Sequence, residues 1–451
     1  MPGQVRGRQT VDRISTAFLY LSLSLAVLLP CFWHSRIQAG DLSSHIYNSW
    51  LAELVERGVA PGLEVVAQPS NVLFDLLLYK LFRAYGTDAA QRIAVSIAVL
   101  IFTWGAFYFV SVVNRRRPSC LLPCLAMLAY GWVFHTGLFN FYLALGISWW
   151  ALALLWQGGI IRWLLAIPLL ALAYTGHPLP PLWTIAIGAY VAISRGLPPR
   201  RQPALVGVAI ALLALTHVLL RITINSEWLP QQLSLITGVN QFYLFGGPFI
   251  FIQFAMLAVW AWLLRHATLS SLPVQLAILG AVAVALIPQR VGLLVYIAHR
   301  TSLLVAVLIC VVLASVPLRK WERAGIFVLA AAFFVMLYLN TGLRNKLDDQ
   351  VHAAVSALPA NSRVIGVGTL THLVDRACIA HCYSYANYEP STGAFRVRAL
   401  GRNPIVVDNY GDSLAMQAGV YQPKPDDPSW YQITQCGAAL CVAEVRAPAA
   451  P

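Results

Sequence analysis

Run after run of this chain is apolar without alternation for about the thickness of a lipid bilayer, and that feature constrains the fold more than any other. A hydrocarbon core of about 30 Å is crossed by roughly 20 helical residues. Inside lipid every backbone polar group must be satisfied internally, so a spanning segment is a helix or part of a closed barrel. The runs here are continuous, not alternating, which selects helices. The residues at 15–34, 89–113, 119–135, 138–157, 160–176, 179–194, 203–220, 242–264, 273–288, 298–316 and 324–341 each fit. The expected fold is therefore an all-α polytopic membrane bundle of about eleven transmembrane helices. Composition agrees: of 451 residues, 59% are hydrophobic and 11% charged, against about 25% charged in soluble domains.

The net charge of +13 would suggest nucleic acid in a soluble protein. Here the basic residues sit in short loops between apolar runs, where they act as topology signals, and no nucleic-acid partner is expected. With the N-terminus (1–14) in the cytoplasm, alternate loops gather Arg6, Arg8, Arg13, Arg115, Arg116, Arg117, Arg162, Arg195, Arg200, Arg201, Arg265, Arg319, Lys320 and Arg323 on one side. The other side holds Arg92, Arg221, Arg290 and Arg300. This predicts an N-in, C-out protein of the bacterial inner membrane. The first run follows three arginines without a small-residue cleavage site, and reads as a retained span, not a cleaved signal. The stretch 70–85 reads as a helix lying at the outer interface, because a full span there would invert every later loop.

The transmembrane unit is expected over 15–344, with an outer juxtamembrane loop at 35–88. The tail, 345–451, is less apolar. Strand-like runs at Arg363–Val367, Pro404–Val407 and Leu440–Ala443 predict a small extracytoplasmic α/β domain. Four tail cysteines, Cys378, Cys382, Cys436 and Cys441, suit two disulfides of unspecified pairing in an oxidising compartment. The neighbouring His372, Asp375 and His381 leave a metal site as the alternative reading. The stretch Tyr385-Ala386-Asn387-Tyr388-Glu389-Pro390 reads as a surface loop able to contact substrate. No internal repeat is visible.

Carboxylates are scarce where the chain is most apolar. From residue 89 to 321 the only one is Glu227, and charges placed in membrane bundles tend to be functional. Asp41 follows the first run directly. At about 100° per residue, Asp41, His45, Asn48, Ala52 and Glu56 form one largely polar stripe, opposite Ile46, Tyr47, Trp50 and Leu54. That describes an amphipathic helix at the interface carrying an acid and an imidazole one turn apart. The bland alternative makes Asp41 a helix N-cap. His135, Asn140, His177, Gln289, Arg290, His299 and Arg300 fall at the same outer rim on the assigned topology. Arg290 and Arg300 have a bland reading as interface residues reaching for headgroups.

The stretch Gln68-Pro69-Ser70-Asn71-Val72-Leu73-Phe74-Asp75 through Gly86-Thr87-Asp88-Ala89-Ala90-Gln91-Arg92, following Asp41 after a first span, resembles the GT-C superfamily of membrane glycosyltransferases, including bacterial lipid A and protein glycosyltransferases. The resemblance covers roughly residues 15–115. It departs where many members place paired acids: Leu42 follows Asp41, and no later Asp-x-Asp occurs. It implies inverting transfer of a sugar from a polyprenyl-phosphate donor to a glycan, lipid or protein acceptor outside the cytoplasm. It implies Asp41 as the catalytic carboxylate with His45 beside it. Asn48, Glu227, His177, Arg290, His299 and Arg300 are then the substrate-binding candidates, and no metal or other cofactor is expected. Two rivals remain at this point: a transporter or flippase of a lipid-linked glycan or small solute, and a non-catalytic member of the same fold.

Overall fold

The computed structural model describes residues 17–60, 62–66, 68–268, 271–292, 294–387, 396–399, 403, 405–407 and 409–447, with backbone only at 230–231 and 396–399. Arg6, Arg8 and Arg13, and Tyr388-Glu389-Pro390, lie outside these residues. Helices dominate: α1 (Ala17–Cys31), α2 (Leu42–Glu56), α3 (Leu73–Asn114), α4 (Leu122–Ala129), α5 (Trp132–Thr136), α6 (Phe139–Gln157), α7 (Ile160–Gly176) and α8 (Leu179–Gly196). There follow α9 (Gln202–Thr223), α10 (Phe249–Leu264), α11 (Leu272–Leu286), α12 (Ile297–Leu313) and α13 (Lys320–Ser356). Among the described residues, five helical stretches are long and apolar enough to cross a membrane: Leu73–Asn114, Ser119–Thr136, Phe139–Gln157, Pro199–Thr223 and Lys320–Ser356. Every expected run holds a helix; α1, α7, α10, α11 and α12 are apolar but shorter, and α8 falls in neither group.

Besides the end of α13, three boundaries differ from expectation, each for a local reason. Helix α3 begins sixteen residues before the expected 89, but Gly86 breaks it with φ 77° and ψ −179°, a conformation open to glycine. Residues 73–85 are thus a helical arm set off from the rest of α3. The run 119–135 is cut where Tyr130 and Gly131 leave helical geometry between α4 and α5. The run 242–264 becomes helical only at Phe249, after Gly246 and Gly247, both with positive φ.

Helix α2 is not the one-sided surface helix that its stripe suggested. Leu42 through Ser49, Leu51 and Ala52 are all buried. Leu42 and Ile46 belong to the bundle core, whereas Tyr47, Leu51 and Ala52 pack with Val364, Val374 and Cys378 of the tail. The helix is enclosed between two apolar bodies, so its polar residues are shared inward.

Helix α13 runs unbroken through residue 344 into the tail. Beyond it lie β4 (Arg363–Gly366), α14 (Thr371–Cys378), β5 (Tyr383–Ser384), β6 (Arg396–Ala399), α15 (Tyr410–Gln417), β7 (Trp430–Cys436) and β8 (Ala439–Val445). Four strands form a sheet of order β5-β4-β7-β8, parallel at β5–β4 and β4–β7 and antiparallel at β7–β8. Strand β6 instead pairs with β1 (Leu63–Val66), from the loop after α2. Of the expected strand at Pro404–Val407, Pro404 lies outside the described residues, and Ile405, Val406 and Val407 are buried outside any strand. Disulfides join Cys378 to Cys382 and Cys436 to Cys441. Among the described residues no group of three or more His, Cys, Asp or Glu side chains is placed to hold a metal ion.

Candidate functional site

Asp41 is held in place by backbone. Gly40 N–H donates to the His135 carbonyl at 2.9 Å and Asp41 N–H to the Thr136 carbonyl at 3.1 Å. This approach requires glycine on both sides. A Cβ on Gly40 would lie 2.6 Å from the Thr136 carbonyl oxygen, and one on Gly137 (φ +86°) would collide with the Asp41 amide. The turn between α5 and α6 therefore fixes the first residue of α2. Asp41 occupies the N-cap position, but its side chain makes no capping bond. The carboxylate reaches outward instead, with Oδ1 3.4 Å from His372 Nε2 of α14.

His372 is the residue that links bundle to tail. Its Nδ1 lies 3.2 Å from Ser44 Oγ and 3.7 Å from Asp375 Oδ2. Ser44 Oγ donates to Asp375 Oδ2 at 2.6 Å, and Ser384 Oγ to Asp375 Oδ1 at 2.5 Å. Both ring nitrogens of His372 thus face oxygen acceptors. Burial opposes its charged form, but Asp375 and Asp41 outweigh that and hold the imidazole above its ordinary value. The ring edge remains open, its side chain 42% exposed.

A second dyad lies alongside. His45 Nδ1 and Asp75 Oδ1 are 2.5 Å apart, and Asn140 Nδ2 donates to Asp75 Oδ2 at 2.5 Å. Asn140 Oδ1 in turn accepts the Phe74 N–H at 2.8 Å, anchoring the arm 73–85 on α6. His45 and His372 are near enough for their charges to interact. On the bundle side, Arg300 Nη1 lies 2.9 Å from His177 Nε2, and its guanidinium stands 5.6 Å from the Phe141 ring centroid. Arg300 is buried, its Nε has no hydrogen-bond partner, and no carboxylate among the described residues is within ion-pair distance.

A polar cavity of about 230 Å3 opens beside this cluster, lined by Gly40, Ser43, Trp132, Arg344, His372 and Arg376 among others. No protein-family model and no curated protein matches this chain. The site must speak for itself.

The candidate residues fall into two groups. Asp41, His45, His177 and Arg300 gather at one end of the bundle. Asn48 is buried beneath them with Oδ1 unpartnered. Glu227 and Arg290 stand opposite each other in the short antiparallel pair of β2 (Ser226–Glu227) and β3 (Arg290–Val291). Arg290 Nε there donates to the Gly292 carbonyl at 3.0 Å, and no contact joins this pair to Asp41 among the described residues. His299 Nδ1 lies 2.6 Å from Gln289 Nε2, and the ring packs 4.6 Å from Trp132. His45 is turned to Asp75, not along a shared stripe with Asp41. Sequence reasoning passed over Asp75, embedded in an apolar run, although a lone acid in such a run is a usable signal. It met His372 only as a possible metal ligand, and nothing local ties that residue to Asp41.

Proposed function

We propose that this chain is a polytopic glycosyltransferase of GT-C type, acting at the outer face of a bacterial inner membrane. On this reading the eleven apolar helices all cross the bilayer, the N-terminus is cytoplasmic and the tail forms an extracytoplasmic α/β domain. The two tail disulfides support that side, because such bonds persist in oxidising compartments. Arg115, Arg116 and Arg195, gathered at the end of the bundle remote from Asp41, support the orientation.

The observation that carries the reading is the Asp41 carboxylate. It is not spent on capping α2, and it stands 3.4 Å from the imidazole of His372, which lines the cavity. In the proposed step an acceptor hydroxyl gives its proton to Asp41, and its oxygen bonds to the anomeric carbon. The bond from that carbon to the donor phosphate oxygen breaks on the opposite face, and the polyprenyl phosphate leaves with the electron pair. Arg300, a buried guanidinium without a carboxylate partner, is placed to accept that charge, a role for which arginine is well shaped. His45, oriented by Asp75, contacts the acceptor or its water from the other side.

The test is sugar transfer from a panel of polyprenyl-phosphate sugars by purified protein in lipid. Asp41→Asn keeps the shape of the side chain and removes the proton acceptor. Transfer should fall by about 10²-fold or more while the helical signal and melting profile stay as in the parent. Undiminished transfer by the folded variant would remove Asp41, and with it this assignment.

A further inference from the structure

A second built site lies at the opposite end of α3. From residue 87 to residue 114 this helix extends about 40 Å at 1.5 Å per residue, away from Asp75. Near its far end, α1, α3 and α6 enclose a groove of about 690 Å3. Its walls are rings: Tyr20 meets Trp104 edge-on at 5.3 Å, and Tyr108 stacks on Trp150 at 5.1 Å. The indole N–H groups and the Ser111 hydroxyl are already used. Trp104 Nε1 donates to Ser24 Oγ at 3.0 Å, Trp150 Nε1 to the Ile101 carbonyl at 3.2 Å, and Ser111 Oγ to the Phe107 carbonyl at 2.7 Å. Carbon and ring faces are left to line the groove, which suits an apolar occupant.

The mouth has the opposite character. Arg115, Arg116 and Arg117 follow one another where α3 ends. Arg116 is tied back to the Ala314 carbonyl. Arg117 lies 5.7 Å over the Tyr20 ring, and Arg115 is close enough to Arg195 for their charges to interact. No carboxylate among the described residues is within ion-pair distance of the three. From residue 89 to 321 the chain offers only Glu227, beyond the other end of α9. Among the described residues no carboxylate pairs with this cationic cluster, and the groove beneath it is lined by carbon and ring faces. The lined stretch of α3, from Trp104 to Arg115, covers about 16 Å, roughly half of a 30 Å hydrocarbon core and so one leaflet.

We infer that this groove binds one anionic phospholipid, with its phosphate between Arg115 and Arg117 and an acyl chain along Tyr20, Leu21, Trp104 and Phe107. A free phosphate would use the arginines and leave the groove empty. An acidic protein segment would not need ring-lined depth. A lipid with a net negative headgroup uses both halves. This inference does not rest on the glycosyltransferase reading, since it concerns other residues at the other end of the bundle.

The full-length protein can be tested by native mass spectrometry after equilibration with phosphatidylglycerol or phosphatidylcholine at equal concentration, with tryptophan quenching by the brominated forms of both. We expect preferential retention of phosphatidylglycerol and stronger quenching by its brominated form. Arg115→Gln with Arg117→Gln should weaken that preference about 25-fold, at roughly fivefold per arginine. Ser111→Trp, which fills the groove and keeps all three arginines, should abolish retention of a bound lipid, and Trp104→Phe should remove most of the excess quenching. Equal retention of the two lipids, or a preference that survives both the arginine and the Ser111 variants, would overturn the site. So would displacement by glycerophosphate as effective as by the lipid, which would make it a free-anion site.

Discussion

Asp348 has no exposed surface, yet it carries a charge that ties three parts of the chain together. Arg376 Nη1 of α14 donates to its Oδ2 at 2.9 Å, Gln38 Nε2 from the loop after α1 at 3.1 Å, and Arg36 Nε lies 4.0 Å away. Burial works against the carboxylate, but His352, Arg376 and Arg36 together hold it below the ordinary aspartate value. Arg376 shows the opposite balance: burial pulls it down further than Asp348 restores it. The net benefit therefore sits on the carboxylate, which has several cationic partners where Arg376 has one. Removing one partner of such a pair leaves a buried charge uncompensated. Asp348→Ala should cost about 3–5 kcal/mol in a denaturant melt in detergent. The sign with pH follows from the depressed value: the contribution is present above the unfolded aspartate pKa near 3.8 and is lost as pH falls through the lower folded value. His372 runs the other way. Its folded value is raised, so its pairing with Asp41 and Asp375 is fully present below 6.5 and lost as pH rises through the folded value. In a transfer assay, His372→Gln should flatten the alkaline limb of the pH–rate profile. A limb unchanged in the variant would assign it to another group.

At the scale of elements, the site depends on a turn more than on a helix. The α5–α6 connection presents Gly137 at φ +86° against the Asp41 amide, where a side chain is both strained and obstructed. Gly137→Ala should lower stability by about 1–3 kcal/mol and reduce transfer beyond what that loss explains, because Asp41 moves. The comparison is Gly158→Ala, also at positive φ but with open space around its Cβ position. It should carry the conformational cost alone, with transfer unchanged per folded molecule. The arm 73–85 has a matching role. Gly86 frees it from the axis of the rest of α3, and Asn140 pins its start, which delivers Asp75 to His45.

For the whole molecule, the tail is part of the site and not an appendage. Helix α13 enters it without a break, β6 pairs with β1 from the first loop, and Tyr47 Oη of α2 accepts the Ser384 N–H at 2.9 Å. Its side of the membrane is open to measurement. In intact cells, an impermeant maleimide should label Cys436 and Cys441 only after reduction, and without permeabilisation. Labelling that needs a permeable membrane, or no reductant, would place the tail inside or leave its thiols free.

The sequence alone determined the helices, because a 20-residue apolar run has one stable form in lipid, and it marked Asp41, because an acid beside a span is costly. It also anticipated two tail disulfides, though not their pairing. Other features depended on chain segments far apart in sequence. Ser44 and Asp375 are separated by 331 positions, and no local pattern encodes such a contact. The stripe of α2 looked amphipathic because periodicity reports which faces are polar, not what covers them. Packing against both the bundle and the tail buried His45 and Asn48 alike. Helix geometry is a local property of the backbone in its solvent; the pairing of Asp41 with His372 is a property of how two distant segments pack, and only the tertiary structure decided it.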